Sequence, residues 1–126
     1  MIEFKNLAKS PKDTKILKRI YNKTFSARKN FELSVVFAPP SFMRRLNRIY
    51  RSKNKTADVL SFLLEKNRGE IFLNARLPAR QAAEKNLPRL FTHGALHLLG
   101  FNHKTERSYK IMRRKELKTL KILKLK

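Results

Sequence analysis

All three histidines of this 126-residue chain, His93, His97 and His103, stand in one 11-residue segment. It reads His93-Gly94-Ala95-Leu96-His97-Leu98-Leu99-Gly100-Phe101-Asn102-His103 and follows Thr92. On a helix, His93 and His97 lie about 40° apart and share a face. Phe91, Ala95, Leu98 and Leu99 fill the opposite arc, so the helix can bury one side and present two imidazoles on the other. Gly100 can take a left-handed conformation, reverse the chain and return His103 as a third ligand. Three neutral nitrogens with an open fourth position are the donor set of a catalytic zinc site, whereas a structural zinc usually takes four protein ligands. Uncharged ligands leave the ion's charge uncompensated, which lowers the pKa of a bound water toward about 7 and suits hydrolysis. The competing reading is a chance cluster on a core-packing helix. A chain's whole histidine content at ligand spacing, closed by a glycine, favours the metal, with one zinc per chain expected.

The same His-x3-His-x2-Gly-x2-His spacing occurs in the metzincin zinc peptidases, where a glutamate directly after the first histidine is the general base. Here that position is Gly94, so a peptidase would lack its base.

Hydrophobic periodicity predicts the elements that position this segment. Ile2 to Leu7 reads as a strand, and Asp13 caps a helix carrying Ile16, Leu17, Ile20, Tyr21 and Phe25. Alternation from Phe31 to Phe37 predicts a second strand, ended by Pro39-Pro40. Phe42, Met43, Leu46, Ile49 and Tyr50 mark a short helix whose other face carries Arg44, Arg45 and Arg48, and a basic loop follows from Arg51 to Thr56. Val59 to Leu64 and Ile71 to Ala75 read as strands joined by a turn at Asn67-Arg68-Gly69. A short helix is expected over Ala79 to Lys85, then the histidine helix from Pro88 to about Leu99. A final basic helix starts near Thr105, with Tyr109, Met112, Leu117, Leu120 and Leu123 as its apolar positions. Strands and about five helices mix without regular βαβ alternation, which predicts one α+β domain over residues 1–126.

Composition narrows the partner. With 31 Lys plus Arg against 9 Asp plus Glu, the formal net charge is +22, which points to a polyanion. Residues 1–57 hold 15 basic and 3 acidic side chains, residues 58–92 hold 6 and 4, and residues 93–126 hold 10 and 2. The field therefore comes from the two ends. Arg44, Arg45, Arg48, Arg51, Lys53 and Lys55 form one basic run; Lys110, Arg113, Arg114, Lys118, Lys121 and Lys124 decorate the last helix. Two such runs flanking a metal segment predict a surface that tracks a nucleic acid, with Phe42, Tyr50 or Tyr109 available either to stack on bases or to join the core. The absence of cysteine excludes disulfides, thiolate metal sites and cysteine nucleophiles. Met1-Ile2-Glu3-Phe4-Lys5 lacks a signal peptide's apolar run, and no stretch is long enough to span a membrane, so a soluble cytoplasmic protein is expected.

The histidine segment closely resembles the signature of the YbeY family of bacterial rRNA maturation factors, His-Gly-x-Leu-His-Leu-x-Gly-Tyr-Asp-His. Arg51 followed by Thr56-Ala57-Asp58-Val59-Leu60-Ser61-Phe62 is similar to the family's second block, and Gly69-Glu70-Ile71 to a third. Met112 and Glu116 stand where the family's last helix often has Met and Glu. The resemblance spans about residues 46–116. It implies a zincin-like α+β fold with a mixed four-stranded sheet, and a metal-dependent endoribonuclease specific for single-stranded RNA. The family acts in small-subunit rRNA 3′-end maturation and ribosome quality control, so ribosomal RNA and the small subunit are the implied partners. His93, His97 and His103 are implied as zinc ligands and Arg51 as the active-site arginine. By itself Arg51 would read as a solvated charge in a basic loop; as that arginine it would steady a phosphate oxygen gaining charge.

The chain departs from the pattern at three points. Asn102 replaces the family's Asp, which is expected to weaken activity without abolishing metal binding. Phe101 replaces Tyr, and Leu63 replaces the Pro after Ser-Phe, which alters the cleft edge. Asp58 and Ser61 are expected to satisfy backbone groups at a strand end. Two other functions compete with the nuclease: a non-catalytic ribosome-binding assembly factor with a structural zinc, and the zinc peptidase that Gly94 opposes.

Overall fold

The computed structural model describes residues 1–9, 13–77 and 86–124. In chain order the elements are β1 (Ile2–Asn6), α1 (Lys15–Thr24), β2 (Glu32–Ala38), α2 (Pro40–Arg51), β3 (Val59–Glu65), β4 (Arg68–Asn74), α3 (Leu87–Leu98) and α4 (Glu106–Lys124). The strands form one sheet in the order β1-β2-β4-β3. β1, β2 and β4 run parallel, and β3 is an antiparallel edge strand paired to β4. This is the expected mixed four-stranded α+β sheet. The short helix expected over Ala79–Lys85 lies outside the described residues.

Strand alternation sorts the core into two layers. Leu33, Val35 and Phe37 of β2 and Ile71 and Leu73 of β4 face Leu17 and Ile20 of α1 and Phe91, Ala95 and Leu98 of α3. Each large apolar side chain so enclosed contributes about 1.5–3 kcal/mol. On the other face, Met43 of α2 packs with Ala38, Ala57 and Leu60, beside Phe42, Leu46, Phe62 and Phe72. α4 lies across α1 and α3. The histidine helix is thus pressed on the sheet beside its antiparallel edge, with α2 on the opposite face.

Three local expectations are corrected. The β3–β4 turn is Lys66-Asn67, closed by a 2.6 Å ion pair between Arg68 and Glu65. Gly69 is already inside β4; a Cβ there would meet Leu98 Cδ1 at 2.9 Å, so its smallness serves packing rather than turning. On α2 the inward face is Met43 and Asn47, while Ile49 and Tyr50 stand in solvent. On α4, Met112 and Thr119 are buried and Tyr109 and Leu117 are exposed. Leu63, the family's Pro position, stays in the ladder opposite Gly69, which proline could not do as a donor.

Candidate metal centre

α3 is built to hold two imidazoles in place. The Asn86 side chain caps it by accepting the Arg89 N–H at 3.0 Å, and Pro88 sits in its first turn. Gly94 lets the helix approach β3 closely: a Cβ there would meet Ser61 Oγ at 2.7 Å and Val59 Cγ2 at 3.2 Å. The Ser61 hydroxyl uses that proximity to donate to the Gly94 carbonyl at 3.1 Å. Ser61 therefore satisfies a backbone group, as expected, though the group belongs to α3 rather than to its own strand. Asp58 contributes its carbonyl to the Asn74 N–H at 2.9 Å. The position that carries the peptidases' glutamate base is closed by these contacts with the sheet.

Gly100, at φ +98°, ends the helix. Its N–H donates to the His97 carbonyl at 3.0 Å and the Phe101 N–H to the Leu96 carbonyl at 3.1 Å, the paired bonds of a Schellman motif. The chain reverses and brings His103 back. Asn102 Oδ1 accepts the Lys104 N–H at 3.1 Å, bracing the loop. Thr105 Oγ1 then accepts the Ser108 N–H at 3.0 Å and starts α4.

The ligand atoms of His93, His97 and His103 all lie within 4.8 Å of one another. The Nε2 atoms of His93 and His97 are 3.1 Å apart. A tetrahedral ion bound at about 2.0–2.1 Å separates its nitrogen ligands by about 3.3 Å, so the cluster fits a metal ion. No fourth His, Asp or Glu joins the group among the described residues. His93 and His97 are half-buried and His103 is exposed.

Glu116 of α4 reaches back to the cluster. His93 Nδ1 donates to its carboxylate at 2.6 Å, a contact that leaves Nε2 of His93 for a metal. The Glu116 side chain is only 12% exposed. Glu116 stands at the family's Glu position, but the sequence does not predict this partnership; the available signal is a lone acid between Arg113, Arg114, Lys115 and Lys118. The His97 pKa is lowered to about 4, first by burial, then by the neighbouring His93 and His103, with Arg51 adding to the effect and Glu116 opposing it. His97 is therefore a neutral nitrogen donor at physiological pH.

Arg51 is the last residue of α2, and its charge is felt at His97. Ser52 follows in the left-handed conformation at φ 56°, with its N–H on the Arg48 and Asn47 carbonyls. Asn47 Nδ2 donates to the Lys55 carbonyl at 2.9 Å and Arg44 Nε to Asn54 Oδ1 at 3.0 Å, so the loop after Arg51 is tied to its helix. Arg44 and Asn47 thus have structural work. Phe42 stacks on Phe72, whereas Tyr50 and Tyr109 are 64% and 54% exposed. Among the described residues, no helix is long and apolar enough to cross a membrane.

A family model described as Endoribonuclease YbeY matches residues 3–124. A Caldicellulosiruptor bescii protein named Endoribonuclease YbeY is 38% identical over 117 residues, covering 75% of this chain and 74% of its own length. One of the same name from Pelotomaculum thermopropionicum is 35% identical over 106 residues, covering 71% and 70%. The solution structure of TM1509 from Thermotoga maritima shares the fold at a TM-score of 0.59 and 19% identity, over 98% of this chain and 92% of that one. With a matching model over nearly its whole length and relatives above 30% identity, the chain belongs to the YbeY family.

Proposed function

We propose that this chain is a zinc-dependent endoribonuclease cutting single-stranded RNA in small-subunit rRNA 3′-end maturation, formed as one domain over residues 1–126 and working in the cytoplasm on the ribosomal small subunit. The observation that carries it is the convergence of three imidazoles to within 4.8 Å with no fourth ligand among the described residues, in a family named for endoribonuclease activity. His93, His97 and His103 would hold one zinc per chain. A bound zinc supplies Lewis-acid charge and activates water at neutral pH. Glu116 orients His93 and keeps its proton on Nδ1. Arg51 donates N–H groups to a phosphate oxygen and offsets the charge that builds there as the bond breaks. The basic side chains of α2 and α4 hold the strand on the protein.

The test uses the full chain on single-stranded RNA, with and without chelator, beside His97→Ala. Cleavage that needs metal and is lost in His97→Ala is expected, with one zinc per chain by elemental analysis. Product ends identify the attacking oxygen: a 2′,3′-cyclic phosphate marks the ribose hydroxyl, its absence water. RNA binding without metal-dependent cleavage would instead make the chain a non-catalytic assembly factor. Hydrolysis of peptides would revive the peptidase.

A further inference from the structure

A cavity of about 250 Å³ opens beside the metal centre, lined by His93, His103, Tyr109, Met112, Arg113 and Glu116. We propose that it receives one unstacked nucleobase of the RNA strand, with the Tyr109 ring as its stacking surface. The proposal rests on the endoribonuclease reading and says where the strand lies.

Five observations carry it. Tyr109 is 54% exposed although it stands on the same helix as buried Met112 and Thr119, so a large aromatic face is left in water at the cavity. Residues 109, 112, 113 and 116 are spaced i, i+3, i+4 and i+7, so one face of α4 forms this wall. That wall combines what a base needs: a ring to stack on, a buried thioether, guanidinium N–H donors and a carboxylate acceptor. Arg113 is held near Glu116, Nη1 to Oε1 3.7 Å, which keeps its donors beside the cavity. The volume falls below the about 300–1,000 Å³ of typical drug-sized ligand sites, room for a single planar ring system. Two of the three ligand histidines share the lining, so a base seated there places its neighbouring phosphate beside the metal centre. Bases in a duplex stay stacked on one another and cannot enter. The pocket therefore selects for single strands.

The test is equilibrium binding by the full chain, kept metal-free with chelator. The probe is a short single-stranded oligoribonucleotide carrying one 2-aminopurine, moved along the sequence. At one position binding is expected to quench the fluorescence. Tyr109→Phe keeps the quench; Tyr109→Ala loses it and binds about tenfold more weakly. An abasic residue at that position weakens wild-type binding by the same factor and costs Tyr109→Ala nothing further. Unchanged affinity and quench in Tyr109→Ala overturn the pocket, whether or not the RNA is cut when metal is restored. A Tyr109-dependent quench on RNA that is never cut keeps the pocket and removes the nuclease reading instead.

Discussion

At the scale of single residues, the candidate centre depends on which nitrogen of His93 carries its proton. The Glu116 carboxylate, 2.6 Å from Nδ1, holds the hydrogen there and leaves the Nε2 lone pair 3.1 Å from Nε2 of His97. Glu116→Gln keeps an acceptor of the same shape but removes the charge that makes the imidazole a better donor. Zinc affinity is expected to fall about 10–100-fold, read by competition with a chromophoric chelator, while far-UV circular dichroism stays unchanged. His97 gives a second expectation, for the metal-free protein. Its folded pKa of about 4 lies below the ordinary 6.5. Between those values the unfolded chain binds the proton and the folded chain does not, so stability is full above pH 6.5 and declines as pH falls toward 4. Urea unfolding across that window should show a shallower decline in His97→Gln than in wild type; equal slopes would show that His97 titrates alike in both states.

At the scale of elements, the close contact of α3 with β3 decides how the histidine face is presented. Gly94→Ala would drive a methyl to 2.7 Å from Ser61 Oγ. Overpacking of this kind costs about 1–3 kcal/mol, so a lower melting temperature is expected. Ser61→Ala in the same chain should recover part of the loss, and strict additivity of the two changes would rule out the contact as the cause. This packing also shows what sequence can and cannot reveal. The histidine helix and its reversal were legible because local rules govern them: apolar spacing fixes the buried arc, and only glycine sits comfortably at the φ of +98° found at Gly100. Gly69 misled because glycine marks both turns and close packing, and Leu98 above it comes from a distant helix. Tyr50 and Tyr109 fall on apolar-looking helical positions, yet Tyr50 meets the Phe62 ring of β3 edge-on and both residues stay more than half exposed. Glu116 reaches His93 from 23 residues away, a distance that helical periodicity does not span. Its partnership is decided by how α4 lies on α3.

At the scale of the whole molecule, the question is what the net charge of +22 does. The sheet separates α2 from α3, but the end of α2 comes near enough for Arg51 to be felt at His97, and α4 supplies Glu116 from the other side. Two basic helices thus adjoin one centre. α2 has no acidic residue, and Arg44 and Arg45 are partly engaged, on Asn54 and over the Phe42 ring. Arg48 is exposed on the same helix. RNA affinity should therefore fall linearly with salt on logarithmic axes. Six phosphate contacts on a single strand would give a slope near about −4, more than a hundredfold between 50 and 200 mM. Arg48→Gln is expected to weaken binding at low salt and reduce that slope by about 0.7, one released counterion's share. Tyr109→Ala should behave differently, shifting the line downward at every salt concentration with its slope intact, because stacking a base releases no counterion. Fluorescence anisotropy over a salt series with wild type and the two variants separates these effects. A wild-type affinity flat with salt would remove the electrostatic account of binding. A changed slope in Tyr109→Ala would mean that its loss displaces the backbone from the basic helices, and that the ring does more than hold a base.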